Sequence, residues 1–345
     1  MWLGEGTPGG VGQGYPGSCP TCVRARESGG GVAPGAVWQG ERVRVGCIGL
    51  GDIARKAYLP VLGGLADVEL HVQTRTPSTL TAVADGLHLP GPQRHADLES
   101  LLDAGLDAAF VHAPTEAHPR IVTQLLQAGV PTYVDKPLAD DLQTCSRLVA
   151  LAEQRNTSLM VGFNRRFAPG YASCRDHPRD LIVMQKNRPG PAAGARRTVF
   201  DDFIHVVDTL RFLVPGEVTE VATRHRVREG RLEHVVLQLS GEGFTALGVM
   251  NRVAGVTEEV LEVSGQGRKR VVRDLADVID HPDGLPTLRR RPDWVPVPRQ
   301  RGIEQAVLAF LDAVRAGTVL SARDALTTHA LCEDIVAPLE ASAAG

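Results

Sequence analysis

The sequence predicts an α/β fold in two parts: a parallel sheet wound by helices, then a mostly antiparallel sheet. Three observations predict it. Val43 to Ile48 is an apolar, β-branched run that ends in a glycine turn and a helical pattern, as expected of a strand buried on both faces. Strand-like and helix-like segments then alternate to about residue 166, which requires parallel strands joined by crossover helices. Beyond residue 217 the pattern changes to successive β-rich runs with glycine-containing turns, which favours antiparallel pairing.

Residues 1–40 contain 12 Gly and 4 Pro. Such a segment buries too little apolar surface to offset its ordering entropy, and a disordered tail is expected. Its Cys19-Pro20-Thr21-Cys22 is half a zinc site with no second pair at a suitable spacing, so no metal is expected. Residues 41–160 read as a first domain and 161–345 as a second. The first domain opens on Gly49-Leu50-Gly51-Asp52-Ile53-Ala54. Gly49 permits the tight turn, Gly51 leaves room for a pyrophosphate, and Ala54 lets helix and strand approach. The N–H groups of the following helix start, at Asp52 and Ile53, face the phosphates. Placed between a buried strand and a helix, this turn marks a Rossmann dinucleotide-binding domain. Ile53, Ala57 and Leu62 are apolar positions of that helix.

A second strand, Val68 to Val72, leads to Thr74-Arg75. No carboxylate stands there to take a ribose 2′-hydroxyl, whereas a small hydroxyl and an arginine suit a 2′-phosphate, so NADP is expected over NAD. The strand Asp107 to His112 ends in Ala113-Pro114-Thr115, with Thr115 as the expected N-cap. His118, in the first turn, faces the cofactor or hydrogen-bonds the turn. Ile121, Val122, Leu125 and Leu126 recur with helical spacing up to Gly129. Pro131 to Val134 leads to Asp135-Lys136-Pro137, where the proline holds Lys136 extended. A helix over Asp141 to Gln154 precedes a strand, Ser158 to Val161, that ends before Asn164-Arg165-Arg166. Five successive strand ends therefore carry Gly49/Gly51, Thr74/Arg75, Pro114/Thr115, Asp135/Lys136 and Asn164/Arg165. That edge of an open parallel sheet binds ligands, so one shared site is predicted.

In the second part, Leu181 to Met184 is strand-like and Lys186 to Arg197 reads as a loop. A helix from Asp201 to Leu210 places Asp201, His205 and Asp208 on one face, with the acidic pair at its N-terminus. Strands are expected over Val218–Val227, Glu233–Ser240, Thr245–Arg252 and Glu258–Ser264. Arg268-Lys269-Arg270 and Arg289-Arg290-Arg291 read as solvated loops. An amphipathic helix is expected from Ile303 to Val314, ended by Gly317, and a last helix from Ala322 to Val336.

Composition excludes several classes. Lys and Arg number 37 against 40 Asp and Glu, a net charge of −3, which gives no footprint for nucleic acid or an anionic membrane. Six cysteines scattered through a long chain form no disulfide framework. No apolar run approaches membrane length and no secretory leader is recognisable, so a cytoplasmic protein is expected.

At Val134-Asp135-Lys136-Pro137 and Asp201-x-x-x-His205 the chain resembles the Gfo/Idh/MocA family of NAD(P)-dependent oxidoreductases, from about Val43 to Val336. It is similar to the MviM-like branch through VDKPLA, VGFNRRFAP and DDFIHVVDT. The resemblance implies a Rossmann domain followed by an α/β domain with an open, mostly antiparallel sheet that serves in homo-oligomers. The family's lysine before proline matches Lys136, and its Asp and His match Asp201 and His205. Three positions depart from the pattern: Asp135 replaces the commoner Glu, Phe203 stands where much of the family has Gly, and Thr74 replaces the acidic residue of NAD-preferring members.

The chemistry this implies is hydride exchange between nicotinamide and a secondary alcohol of a sugar or cyclitol. His205 is the expected general base, oriented or charge-stabilised by Asp201, and Lys136 the donor to the reacting oxygen. Asn164 and Arg165 are expected to contact nicotinamide or substrate. Two rivals remain: a non-catalytic dinucleotide-binding sensor, and an imine or enone reductase in which His205 protonates product.

Overall fold

The structure, a computed structural model, describes residues 42–344 except 191, 192 and 283. The expected tail, with Cys19 and Cys22, lies outside these residues. The first sheet contains β1 (Val43–Ile48), β2 (Val68–Gln73), β3 (Arg94–His95), β4 (Ala108–Val111), β5 (Thr132–Val134) and β6 (Leu159–Val161). Their order is β3-β2-β1-β4-β5-β6, and every pair is parallel. This is the doubly wound order, whose direction reverses between β1 and β4 and so opens a crevice at their C-terminal ends. The apolar residues of β1 and β4 are buried, as two-sided packing demands. Asp141 caps the helix Leu142–Gln154 by accepting from Thr144 N at 2.7 Å.

The second sheet contains β7 (Leu181–Asn187), β8 (Glu220–Arg228), β9 (Arg231–Gly241), β10 (Phe244–Asn251), β11 (Glu258–Gly265), β12 (Arg268–Arg273), β13 (Asp277–His281) and β14 (Thr287–Arg289). The order is β14-β13-β12-β11-β7-β10-β9-β8. Only β7 and β10 pair in parallel; the other neighbours are antiparallel. One face packs on the helix Ile204–Leu213: a side chain at Gly248 of β10 would meet Val206 and Leu210. The opposite face carries the half-buried Val183, Val236, Leu247 and Val249. The helix Ile303–Arg315 returns to the first sheet, where Ile303, Phe310 and Leu311 join the core of Val43, Val45 and Phe110.

Several expectations are corrected. Ile53 is 47% exposed, because Ala54–Tyr58 winds as a wide π turn before the short helix Leu59–Leu62; Pro60 has no N–H to close a regular α turn there. Thr115 makes no capping hydrogen bond, since Thr115–Ala117 is a 3₁₀ turn ahead of the helix His118–Gln127. Arg268-Lys269-Arg270 lies in β12, not in a loop. The Asp201 helix begins earlier, at Ala195, and contains a π turn over Val199–Phe203. Asp201 and Asp202 are therefore inside the helix rather than at its N-terminus. The wider turn also breaks the stripe that Asp201, His205 and Asp208 would share at about 3.6 residues per turn.

Candidate active site

The crevice is built from the glycine turn outward. Gly49 has φ +87°, and a Cβ there would lie 2.5 Å from Ala113 N. The ends of β1 and β4 meet this closely only because that residue is glycine. Nothing lies within 4 Å of where a Cβ would stand on Gly51, so the turn has open space on the side where a pyrophosphate would approach. Asp52 turns to its own helix, accepting from Arg55 and Lys56 at 2.8 Å each. At the end of β2, Thr74 is half-buried and Arg75 exposed. The Arg75 side chain makes no ion pair or hydrogen bond among the described residues. These features fit a dinucleotide along the turn: Gly49, Gly51 and the following N–H groups would hold its phosphates, with Arg75 free to meet a further one.

Below the crevice is a buried polar cluster. His112, at the end of β4, donates from Nδ1 to Asp135 Oδ2 at 2.8 Å. Burial alone would lower the imidazole pKa, but the Asp135 carboxylate raises it to about 10. Asp135 in turn stays below the ordinary carboxylate range: burial opposes its charge, and His112 outweighs that. The Tyr58 ring lies tilted against His112, with centroids 4.0 Å apart, and its hydroxyl is 3.0 Å from that of Tyr133. Asp135 thus turns inward to His112, with 17% of its side chain exposed. The imidazole of His118 is buried with Nδ1 2.9 Å from Pro137 O and Nε2 2.8 Å from Ala113 O. Burial favours its neutral form, so the ring donates to one carbonyl at a time and braces the turn. It does not face the crevice.

The Lys136–Pro137 peptide is cis. Lys136 Nζ donates to the carbonyl of Asp201 at 2.5 Å. This one bond carries the lysine from the first sheet to the helix above the second. The next residue is pinned from another direction: Leu138 N donates to His329 Nε2 at 3.0 Å, and His329 Nδ1 donates to Ala325 O at 2.8 Å. Burial lowers the His329 pKa to about 4, the neutral state that both bonds require. Burial also lowers the pKa of Lys136, an effect that Asp201, Asp202 and Asp135 oppose.

His205 is half-buried, and its ring makes no hydrogen bond among the described residues. Burial, and then the positive charges of Arg165, Lys136, Lys186 and Arg301, push its pKa well below the ordinary value. The Asp201 carboxylate is the correction here: it lies 3.4 Å from Arg197 Nε and does not orient the imidazole. Only its backbone carbonyl joins the site, through Lys136. Asp208 belongs elsewhere, buried against Arg166 at 2.6 and 2.9 Å.

Arg165 is fixed by two hydrogen bonds to Glu259 at 2.7 Å each, with Tyr171 donating to the same carboxylate at 3.0 Å. Asn164 Nδ2 donates to Arg301 O at 2.7 Å. Neighbouring Gly302 (φ +78°) has backbone atoms of Asn164 and Ala168 where a side chain would go, at 2.3 Å each. This close fit brings Arg301 to the His205 side of the molecule. Sequence reasoning missed Lys186, Asp202, Arg252 and Arg301. Lys186, near the end of β7, is buried, and its pKa falls to about 8 through burial and the Arg165 charge. Asp202 gathers Lys186 and Arg188 at 3.1 Å and Arg252 at 2.8 Å. The missed signal was positional: Lys186 ends a strand, and Arg301 precedes a glycine at a helix start.

Comparison with known proteins agrees with this architecture. Residues 43–163 match the family model described as an oxidoreductase family with an NAD-binding Rossmann fold, and residues 170–281 match a YceM-like C-terminal domain. The chain is 34% identical over 285 residues to YceM of Salmonella typhimurium, described as an oxidoreductase, covering 80% of this chain and 91% of that protein. It is 38% identical over 138 residues to the myo-inositol dehydrogenase Hyg17 of Streptomyces leeuwenhoekii, but covers 36% of this chain and only 42% of that enzyme. The crystal structure of the dehydrogenase MviM from Clostridium difficile superposes with a TM-score of 0.81 at 29% identity, over 86% of this chain and 99% of that one. The doubly wound sheet, the glycine turn at its crevice and these likenesses agree: the chain belongs to the Gfo/Idh/MocA family of oxidoreductases, in its MviM-like branch.

Proposed function

We propose that this oxidoreductase moves hydride between NADP, preferred over NAD, and a secondary alcohol or ketone of a sugar or cyclitol. One observation carries this reading: Lys136, which follows β5 of the first sheet, donates to the carbonyl of Asp201, four residues before His205 in the same helix, and its charge acts on that imidazole. The nicotinamide cofactor supplies the hydride acceptor or donor. The neutral imidazole of His205 is in the form that takes the alcohol proton. Lys136 donates to the reacting oxygen, held in place by the Asp201 carbonyl rather than by a carboxylate. Arg165 and Lys186, buried and cationic, favour the negative charge that develops on that oxygen. The likeness to a myo-inositol dehydrogenase supports a cyclitol-like substrate. The unpaired Arg75 and the missing carboxylate at Thr74 support NADP.

On the same reading, residues 41–160 hold the dinucleotide and 161–345 bind substrate, with Ile303–Arg315 returning to the first sheet. The open face of the second sheet joins copies of the chain through Leu181, Val183, Leu247 and Val249. No helix among the described residues is long and apolar enough to cross a membrane, and we place the enzyme in the cytoplasm. The test is a turnover screen of purified protein with NADP and NAD against inositols, polyols and sugars, followed at the nicotinamide absorbance. Turnover of at least one member, faster at low NADP than at equal NAD, is expected. Tight dinucleotide binding with no turnover of any member would favour the sensor.

A further inference from the structure

We propose that a hollow beside β12–β14 is a second binding site, for a small molecule carrying two or more phosphate groups. Strand parity builds it. In β12, Arg268 and Arg270 point to one face while Lys269, between them, pairs with Glu262. β13 pairs with β12 on one side and β14 on the other, which brings Arg289 and the following arginines toward Arg270. Two basic runs separated in sequence thus line one hollow of about 720 Å³, a volume typical of small-ligand sites. Its lining carries Arg268, Arg270, Arg289, Arg290, Arg291 and Arg299 together with the apolar Pro169, Leu275, Val278 and Val295.

Part of this wall is rigid and part is free. Arg270 is held by Asp280 at 2.6 Å and by the Ser173 carbonyl at 2.8 Å, and Arg289 by Asp280 at 2.7 Å. Arg291 donates to Gln300 at 2.7 Å, and Arg299 lies 3.2 Å from Glu304. Arg268 and Arg290 make no ion pair or side-chain hydrogen bond among the described residues. Among the described residues, these six guanidinium groups meet the lining carboxylate Asp176 and the carboxylates Asp280 and Glu304 that pair with Arg270, Arg289 and Arg299. The surplus suits two phosphate groups of about −1.5 to −2 each. Guanidinium forks match phosphate oxygens bidentately, and the apolar lining residues suit an organic body. The hollow is concave, and the chain is acidic overall, which favours a small ligand over a polynucleotide. None of its lining residues is among those that would hold the dinucleotide.

The test uses the full chain saturated with NADPH, titrated calorimetrically with inorganic tripolyphosphate and with ATP. Binding with Kd below about 1 mM is expected for both. Arg268→Gln/Arg290→Gln should weaken it about tenfold or more, and Arg268→Glu/Arg290→Glu further, with NADPH affinity unchanged. Both residues are exposed and unpaired, so neither variant removes a structural bond. No binding up to about 10 mM, equal binding in the variants, loss of binding as NADPH saturates, or tighter binding of single-stranded RNA than of ATP would each overturn the proposal.

Discussion

His205 has the most unusual electrostatics of the candidate catalytic residues. Its surroundings keep it neutral, so its proton-accepting form is present throughout about pH 6 to 8. Its charge transition falls well below 6.5, and kcat/KM for alcohol oxidation should show no histidine inflection near that value. An inflection at about 6.5 that disappears in His205→Asn would contradict this. Arg75 makes a separate prediction. Arg75→Ala should weaken NADP binding by about 1.5–3 kcal/mol, the scale of a charged hydrogen bond, and leave NAD binding nearly unchanged. Equal losses for the two cofactors would count against a 2′-phosphate contact. Lys136 and His205 stood out in the sequence as candidates because each sits in a short, specific run. Lys186 and Arg301 carried only a weak positional signal, a strand end and a glycine at a helix start; that their charges act on His205 emerges only once β7 and the Gly302 turn are placed in space.

Among elements, the two π turns decide what the sequence pattern misjudged. Ile53 and Asp208 each lie where regular helical periodicity fails, Ile53 just before one π turn and Asp208 beyond the other. Periodicity assumes a uniform rise and rotation, and a local widening is invisible to it. The strand ends were legible because their hydrophobic runs and turn residues agree. The arginine run in β12 was not, since charge suggested solvent while the register with β11 made it a strand. The C-terminal helix Arg323–Ala344 reaches the site through His329. His329→Ala leaves buried Leu138 N without its acceptor and should cost about 1–3 kcal/mol of stability. The sign of its pH dependence also follows. The fold holds His329 neutral down to about 4, whereas the unfolded chain takes up a proton below about 6.5, so stability falls as pH drops through that window. Urea titrations at pH 7 and pH 5 should show the wild type losing more stability than His329→Ala between the two. Equal losses would remove His329 from this role.

At the scale of the whole molecule, the chain crosses from the first sheet to the second and returns. The return by Ile303–Arg315 completes the core under the first sheet and presents Arg301 at the site. The alternation of strands and helices made the first sheet legible, and the later β-rich runs made the second so. The crossing contacts, Lys136 to Asp201 and Asn164 to Arg301, depend on how the halves meet, which a one-dimensional pattern does not encode. The central claim is that Lys136 and His205 serve one transition state. It is tested most directly by kcat of Lys136→Ala, His205→Ala and the double variant on a substrate that the wild type turns over. Each single change should lower kcat by about 10²–10⁴-fold, with NADP affinity of His205→Ala within a few-fold of wild type, and the double variant should be little worse than the poorer single one. Losses that multiply in the double variant, or a His205→Ala enzyme with unchanged kcat, would contradict the account.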